Sequence, residues 1–179
     1  MTIIVEDGSI IANANSYVTA IEADDYFTYE RPGVPDWDGF DDDTKEASLR
    51  FAVKLLDEEC WVGLRTSPST QELGWPRSNV YDADRRVYFD PNEIPSFLKC
   101  AQMELAVALA REDRTIVGES AGGDGLKRAK VDVLEVEWFA NAAKMAEAAK
   151  PLIPDIVYKF ICNYIEGCGY GIAVATLRT

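Results

Sequence analysis

The segment from Ile94 to Arg111 constrains the fold more than any other part of the chain. Pro95 stands where a helix opens, and Ile94, Leu98, Ala101, Leu105, Ala108 and Leu109 recur on one face of a 3.6-residue period. The spacing predicts a helix over 95–111 at the centre of the core. Such a face must be covered by other apolar stripes. Three further segments provide them. Over 17–29, Asn13-Ala14-Asn15-Ser16 offers capping side chains before Val18, Ile21, Asp25 or Tyr26, and Tyr29. Over 44–60, with Asp43 or Thr44 as cap, Ser48, Phe51, Ala52, Leu55 and Leu56 face the core, while Lys45, Glu46, Arg50, Lys54 and Glu58 lie mostly opposite. Over 154–166, Val157, Phe160, Ile161, Tyr164 and Ile165 are expected to be buried, and Gly167, Gly169 and Gly171 stop the helix.

The connecting segments read differently. Thr2 to Gly8 is a short β-prone run closed by the turn dipeptide Asp7-Gly8. Pro32, Gly33 and Pro35 end the first helix, and 36–43 carries Asp36, Asp38, Asp41, Asp42 and Asp43 with no basic residue, which predicts a solvated loop. Residues 63–91 are dense in Ser, Pro, Gly and Asp. Within them Val80-Tyr81 and Val87-Tyr88-Phe89 flank Asp82-Ala83-Asp84, the pattern of an irregular arm with a weak hairpin.

The stretch 118–125 contains four glycines and reads as a loop; 127–139 reads as a strand or bent hairpin arm with a one-residue slip at a bulge. Six alanines in 140–149 favour helix until Pro151 and Pro154 intervene. The final 172–179 is apolar and hangs beyond a glycine-rich break, so it is expected to dock on another chain. The expectation is one mainly α domain over 1–179: a small bundle of about four helices with projecting β-hairpin or strand arms, 63–91 and 118–139, and an extended C-terminal tail, 170–179.

Chemistry is excluded more readily than it is found. The chain has no histidine, which removes Ser–His and Cys–His catalysis and the commonest general base and zinc ligand. No acid–base constellation emerges, so no enzyme, cofactor or metal is expected. Gly118 to Gly125 lacks the Gly-Lys-Ser/Thr ending of a phosphate-binding loop, and in 36–43 Phe40 and Gly39 break the calcium-loop pattern. Cys60, Cys100, Cys162 and Cys168 form no C-x-x-C pair and are expected to be reduced, buried thiols. No apolar run approaches the roughly 20 residues that span a bilayer, so a soluble protein made in the host cytoplasm is expected, with no membrane partner.

A formal charge of −13 opposes binding to a phosphate backbone unless the few cations share one face. Trp75 with Arg77, Arg85-Arg86 beside Tyr88-Phe89, and Lys127-Arg128 with Lys130 are the aromatic and basic clusters that a single-strand binder would use. Asp82, Asp84 and Asp90 dilute the cluster. The plainer reading puts these rings in a local core and pairs the arginines with neighbouring aspartates.

Several pieces taken together resemble one phage family: Val5-Glu6-Asp7-Gly8, Ala14-Asn15-Ser16-Tyr17-Val18, Ala23-Asp24-Asp25-Tyr26-Phe27 and Gln71-Glu72-Leu73-Gly74-Trp75-Pro76-Arg77. Ile94-Pro95 with Ala101 and Glu104-Leu105-Ala106, and Lys127-Arg128-Ala129-Lys130-Val131 before Leu134-Glu135-Val136-Glu137-Trp138, continue the likeness over most of the chain. Proteins with this pattern are often labelled DnaT-like single-stranded-DNA-binding proteins, yet they are also similar to tailed-phage head-to-tail connectors, or adaptors. The connector resemblance implies a non-enzymatic virion protein in the neck between capsid portal and tail. It would form a homo-oligomeric ring, a dodecamer, that docks on the portal protein, meets a tail, stopper or tail-terminator protein, and passes DNA through its lumen without specific binding. Portal docking would fall to Tyr170, Ile172, Val174, Leu177 and Arg178, and 36–43 would face the lumen. The alternative is a replication-accessory protein binding single-stranded DNA through Trp75, Arg77, Arg85 and Arg86.

Overall fold

The structure, a computed structural model, describes residues 2–84, 86–112, 114 and 151–166. Over them the chain is mainly α, with helices α1 (Ala20–Asp25), α2 (Asp42–Asp57), α3 (Ser96–Arg111) and α4 (Asp155–Ile161). A two-stranded antiparallel sheet joins β1 (Leu64–Arg65) to β2 (Arg77–Ser78), with Leu64 opposite Ser78 and Arg65 opposite Arg77. Helix α3 packs against both α2 and α4. Its positions Ile94, Leu98, Ala101, Leu105 and Ala108 are buried as their spacing predicts, and Leu109 packs half-buried at the margin.

At the middle of α3 the core holds a polar side chain with no exposure at all, Gln102. Its amide accepts from the Tyr17 backbone N–H (3.0 Å) and donates to Ser16 Oγ (2.7 Å) and the Leu49 carbonyl (3.1 Å). Burial without such partners would cost several kcal/mol, so this one side chain ties the N-terminal segment, α2 and α3 into one register. Two residues on, Glu104 takes Arg31 Nε at 2.6 Å and the Tyr26 hydroxyl at 3.0 Å, fixing the end of the first helical segment to α3.

That first segment departs from the prediction of a helix over 17–29. Tyr17 and Val18 are apolar and fully buried, but they belong to a non-helical approach held by Ser16 and Gln102. The helix is capped by Thr19, whose Oγ1 accepts from Glu22 N while the Glu22 carboxylate accepts from Thr19 N, a reciprocal capping box. After α1 the chain widens into a π-turn over Tyr26–Glu30, where the Arg31 amide reaches the Tyr26 carbonyl. Ile21 and Tyr29, expected inside, are 72% and 81% exposed.

Other boundaries shift for similar reasons. Asp41, rather than Asp43 or Thr44, caps α2 by accepting from Thr44 N, α2 ends at Asp57 instead of residue 60, and Phe51, expected to face the core, is exposed. The run 36–43 is not a solvated loop throughout. Trp37 is fully buried in a 3-10 turn, packs on Phe27 and donates to Asp24, and Asp36 chelates the Arg111 guanidinium. The last helix stops at Ile161 and tightens into a 3-10 turn over Cys162–Tyr164, with Phe160 half-buried. Cys60 is exposed and Cys100 and Cys162 are half-buried, against the expectation of buried thiols; all three are unbridged.

The second arm 118–139, the alanine-rich piece, the tail 170–179 and Cys168 lie outside the described residues. Arg114 Nη1 donates to the Pro151 carbonyl at 2.8 Å.

Candidate interaction surfaces

The motif Gln71 to Arg77 folds into a knot against the end of α2. The Gln71 amide donates to the carbonyls of Leu73 and Pro76 and accepts from Ser67 N. Gly74 N donates to Asp57 Oδ2 (2.8 Å), the Tyr17 hydroxyl donates to Asp57 Oδ1 (2.8 Å), and Trp75 N donates to that same hydroxyl oxygen (3.1 Å). A Cβ on Gly74 would stand 2.6 Å from Asp57 Oδ1, so only glycine admits this contact. Burial raises the pKa of Asp57 above 3.8, against the hydrogen bonds from Tyr17 and Gly74; burial, and then the Asp57 charge, push Tyr17 well above 10.0.

Two of the four residues proposed for DNA contact lie in this knot and do not face solvent. Trp75 has no exposed surface, sits edge-on to Trp61, Phe89 and Phe97, and follows Tyr17 into the core; its Nε1–H has no partner among the described residues. Arg77 donates from Nε to Val62 O (2.8 Å), from Nη1 to Gly74 O (3.1 Å), and from Nη2 to Trp61 O (3.1 Å) and Gly63 O (2.8 Å). Its guanidinium staples the 61–63 segment to 74–77, and burial, with Arg65 nearby, lowers its pKa below the usual guanidinium value. It is not paired with an aspartate, contrary to the plain reading of the sequence. Arg85 lies outside the described residues, as do the docking candidates Tyr170, Ile172, Val174, Leu177 and Arg178; Arg86 is exposed.

The N-terminal motif is equally structural. The Glu6 carboxylate, 1% exposed, accepts from the N–H groups of Gly8, Ile10 and Ile11, and Asp7 accepts from Ser9. Gly8 has φ +106°, and a Cβ there would fall 1.7 Å from the Asn92 carbonyl oxygen. An open cleft of about 550 Å³ beside this turn is lined by Glu6, Asp7, Glu22, Asp90, Glu93 and Lys99. Its acids would repel an anionic ligand. Among the described residues no group of three or more His, Cys, Asp or Glu is placed to hold a metal ion, and no helix is long and apolar enough to cross a membrane.

Sequence reasoning missed two exposed faces. The hairpin 80–89 alternates with period two: Val80 and Phe89 turn toward the core, where Phe89 meets Phe97, Tyr164 and Trp75. Tyr81 and Tyr88, paired across the hairpin, turn outward and stack at 3.9 Å, 44% and 53% exposed, beside exposed Val87 and Arg86. The adjacent Tyr81 hydroxyl raises the Tyr88 pKa above 10.0. The other face is Ile21 and Tyr29 on α1 and its π-turn. The signal for the first was present in the alternation of Val80-Tyr81 and Tyr88-Phe89. For the second it lay in Thr19-Ala20-Ile21-Glu22, whose capping box resets the helical phase and turns Ile21 outward.

No curated protein and no solved structure matches the chain. A family model does match it over residues 1–179, its description that of a "Putative DnaT-like ssDNA binding protein", and the chain belongs to that family.

Proposed function

We propose that this chain is a structural subunit of the tailed-phage neck, an adaptor that forms a ring on the portal, continues the DNA channel toward the tail and catalyses nothing. The observation that carries this reading is the disposition of its side chains. The ring and guanidinium best suited by sequence to grip a strand, Trp75 and Arg77, are spent inside the scaffold, while Tyr81, Val87 and Tyr88 on a hairpin and Ile21 and Tyr29 on α1 and its π-turn are among the large apolar residues left exposed on a chain with net charge −13. Surfaces of that kind suit protein partners, and an acidic wall lets DNA pass without sticking. The tail residues Tyr170, Ile172, Val174, Leu177 and Arg178 are assigned to the portal contact, and the acids among 36–43 that remain exposed to the lumen.

The second reading is binding of single-stranded DNA, and the family's description favours it. It draws on one feature of the geometry, the exposed Tyr81–Tyr88 stack beside Arg86, since single-strand binders combine stacking rings with cations. Quantitative mass spectrometry of purified virions separates the two. A copy number equal to that of the portal supports the adaptor. Absence from the particle, together with oligonucleotide affinity that falls steeply with salt, replaces it with the DNA reading.

A further inference from the structure

We infer that the two exposed faces are the two halves of one interface, the hairpin of one copy seating on the α1 face of the next; this rests on the adaptor reading and names the partner of its arm. The hairpin is presented rather than loose. Val80 and Phe89 anchor it in the core, and the Phe89 N–H to Val80 O (2.9 Å) and Asp82 N–H to Val87 O (2.8 Å) bonds close it. Its outer side offers Tyr81, Tyr88 and Val87 with Arg86 at the rim, and Leu64 and Arg65 are exposed on β1, which follows Gly63 where the backbone passes Val80.

Tyr and Arg are the residues that carry most binding energy at protein interfaces. Arg65 and Arg86 enter no ion pair with a described residue, and the neighbouring Asp82 carboxylate is turned onto the backbone N–H groups of Arg86 and Val87. The α1 face has the complementary make-up. Ile21 and Tyr29 stand outward while Ala23, Tyr26 and Phe27 face the core, and the exposed Asp25 and Glu30 beside them also lack an ion pair with a described residue. An apolar centre with Arg65 and Arg86 at its rim, Asp84 and Asp90 being exposed on or beside the same hairpin, and an apolar centre with Asp25 and Glu30 at its rim, on different elements of one chain, form a heterologous pair. Such pairs propagate head to tail and close into a ring when the rotation permits.

Sedimentation velocity on the full chain tests this with two variants, both changed only at exposed positions: an arm variant (Arg86→Glu with Tyr88→Ala) and a face variant (Asp25→Arg with Tyr29→Ala). The wild type is expected to associate with concentration. Each variant alone is expected to be monomeric, its affinity at least ~30-fold weaker as for loss of an interface hot spot. An equimolar mixture is expected to form a dimer and stop, because each variant keeps the half that the other has lost. Circular dichroism checks that both remain folded. A wild type that stays monomeric overturns the inference, as does self-association of either variant, a mixture that does not pair, or an oligonucleotide that engages Tyr81 and Tyr88 in the monomer. Virion copy number reports on the adaptor reading separately: a chain present in the particle but monomeric in solution sinks only the interface, and a chain absent from it but assembling as described sinks only the adaptor.

Discussion

Replacing Arg77 with alanine separates a scaffold role from a DNA contact. The side chain uses four donated hydrogen bonds to hold the carbonyls of Trp61, Val62, Gly63 and Gly74. A hydrogen bond from a charged donor contributes about 1.5–3 kcal/mol, but four on one guanidinium share a single desolvation cost and some of the released carbonyls regain water. We therefore expect a loss of about 3–4 kcal/mol, close to what removing a well-bonded, half-buried charge costs in general. For a chain of this size that lowers Tm by roughly 6–16 °C. Arg77→Lys should recover less than half, because an ammonium is a point donor and cannot bridge carbonyls on both segments. The assay is thermal and urea unfolding followed by circular dichroism, with the wild type alongside. A Tm within about 2 °C of wild type would refute the staple, and if oligonucleotide affinity fell at the same time, Arg77 would have to be reassigned as a contact residue.

Three further outcomes follow from the same geometry. Gly8→Ala places a methyl 1.7 Å from the Asn92 carbonyl in a backbone of φ +106°, so the turn must open; a loss of about 2–4 kcal/mol in urea unfolding is expected, and a neutral result would show that the 6–11 turn does not pack on residue 92. Gln102→Leu keeps the volume but strands the Tyr17 N–H and takes one partner each from Ser16 Oγ and the Leu49 carbonyl; it should cost about 2–4 kcal/mol and accelerate amide exchange at Tyr17, and unchanged exchange there would contradict its pinning role. The Asp41 carboxyl is held below 3.8 by the N–H of Thr44, so its contribution is present above that value and lost as pH falls through the lowered folded-state value; wild type should unfold at higher temperature than Asp41→Ala at pH 7, the gap closing near pH 2, and a gap independent of pH would remove the charge from the cap.

The helices were legible where one physical signal dominated. Pro95 and an unbroken apolar face marked α3 almost to the residue, because packing and local preference agree there. The first helix was misjudged where they disagree: Tyr17 and Val18 extend the apolar spacing, but a bond from a side chain 85 residues away holds Tyr17 outside the helix, and no local window contains that partner. Trp37 was hidden by the aspartates around it, although an aromatic residue inside an acidic run is itself a reason to expect a buried anchor. The surfaces were harder still. Whether Ile21 faces in or out turns on a phase set by Thr19, and whether Trp75 or Tyr81 is the exposed ring depends on which of two adjacent segments covers α3.

Three of the motifs that carry the family likeness have a common character. Val5 to Gly8 is a carboxylate turn, Ser16-Tyr17 meets Gln102, and Gln71 to Arg77 wraps around Asp57 and the carbonyls of 61–63. Each is held by exact donor–acceptor geometry in the interior, which is why its residue types and spacing are recognisable. An interface made of Tyr81, Tyr88, Ile21 and Tyr29 needs only apolar area and a charge of the right sign, so many sequences could serve. Family membership here therefore identifies a scaffold. What the scaffold holds is decided by its exposed faces, and loss of binding in a motif variant such as one at Trp75 would report unfolding before it reported a missing contact.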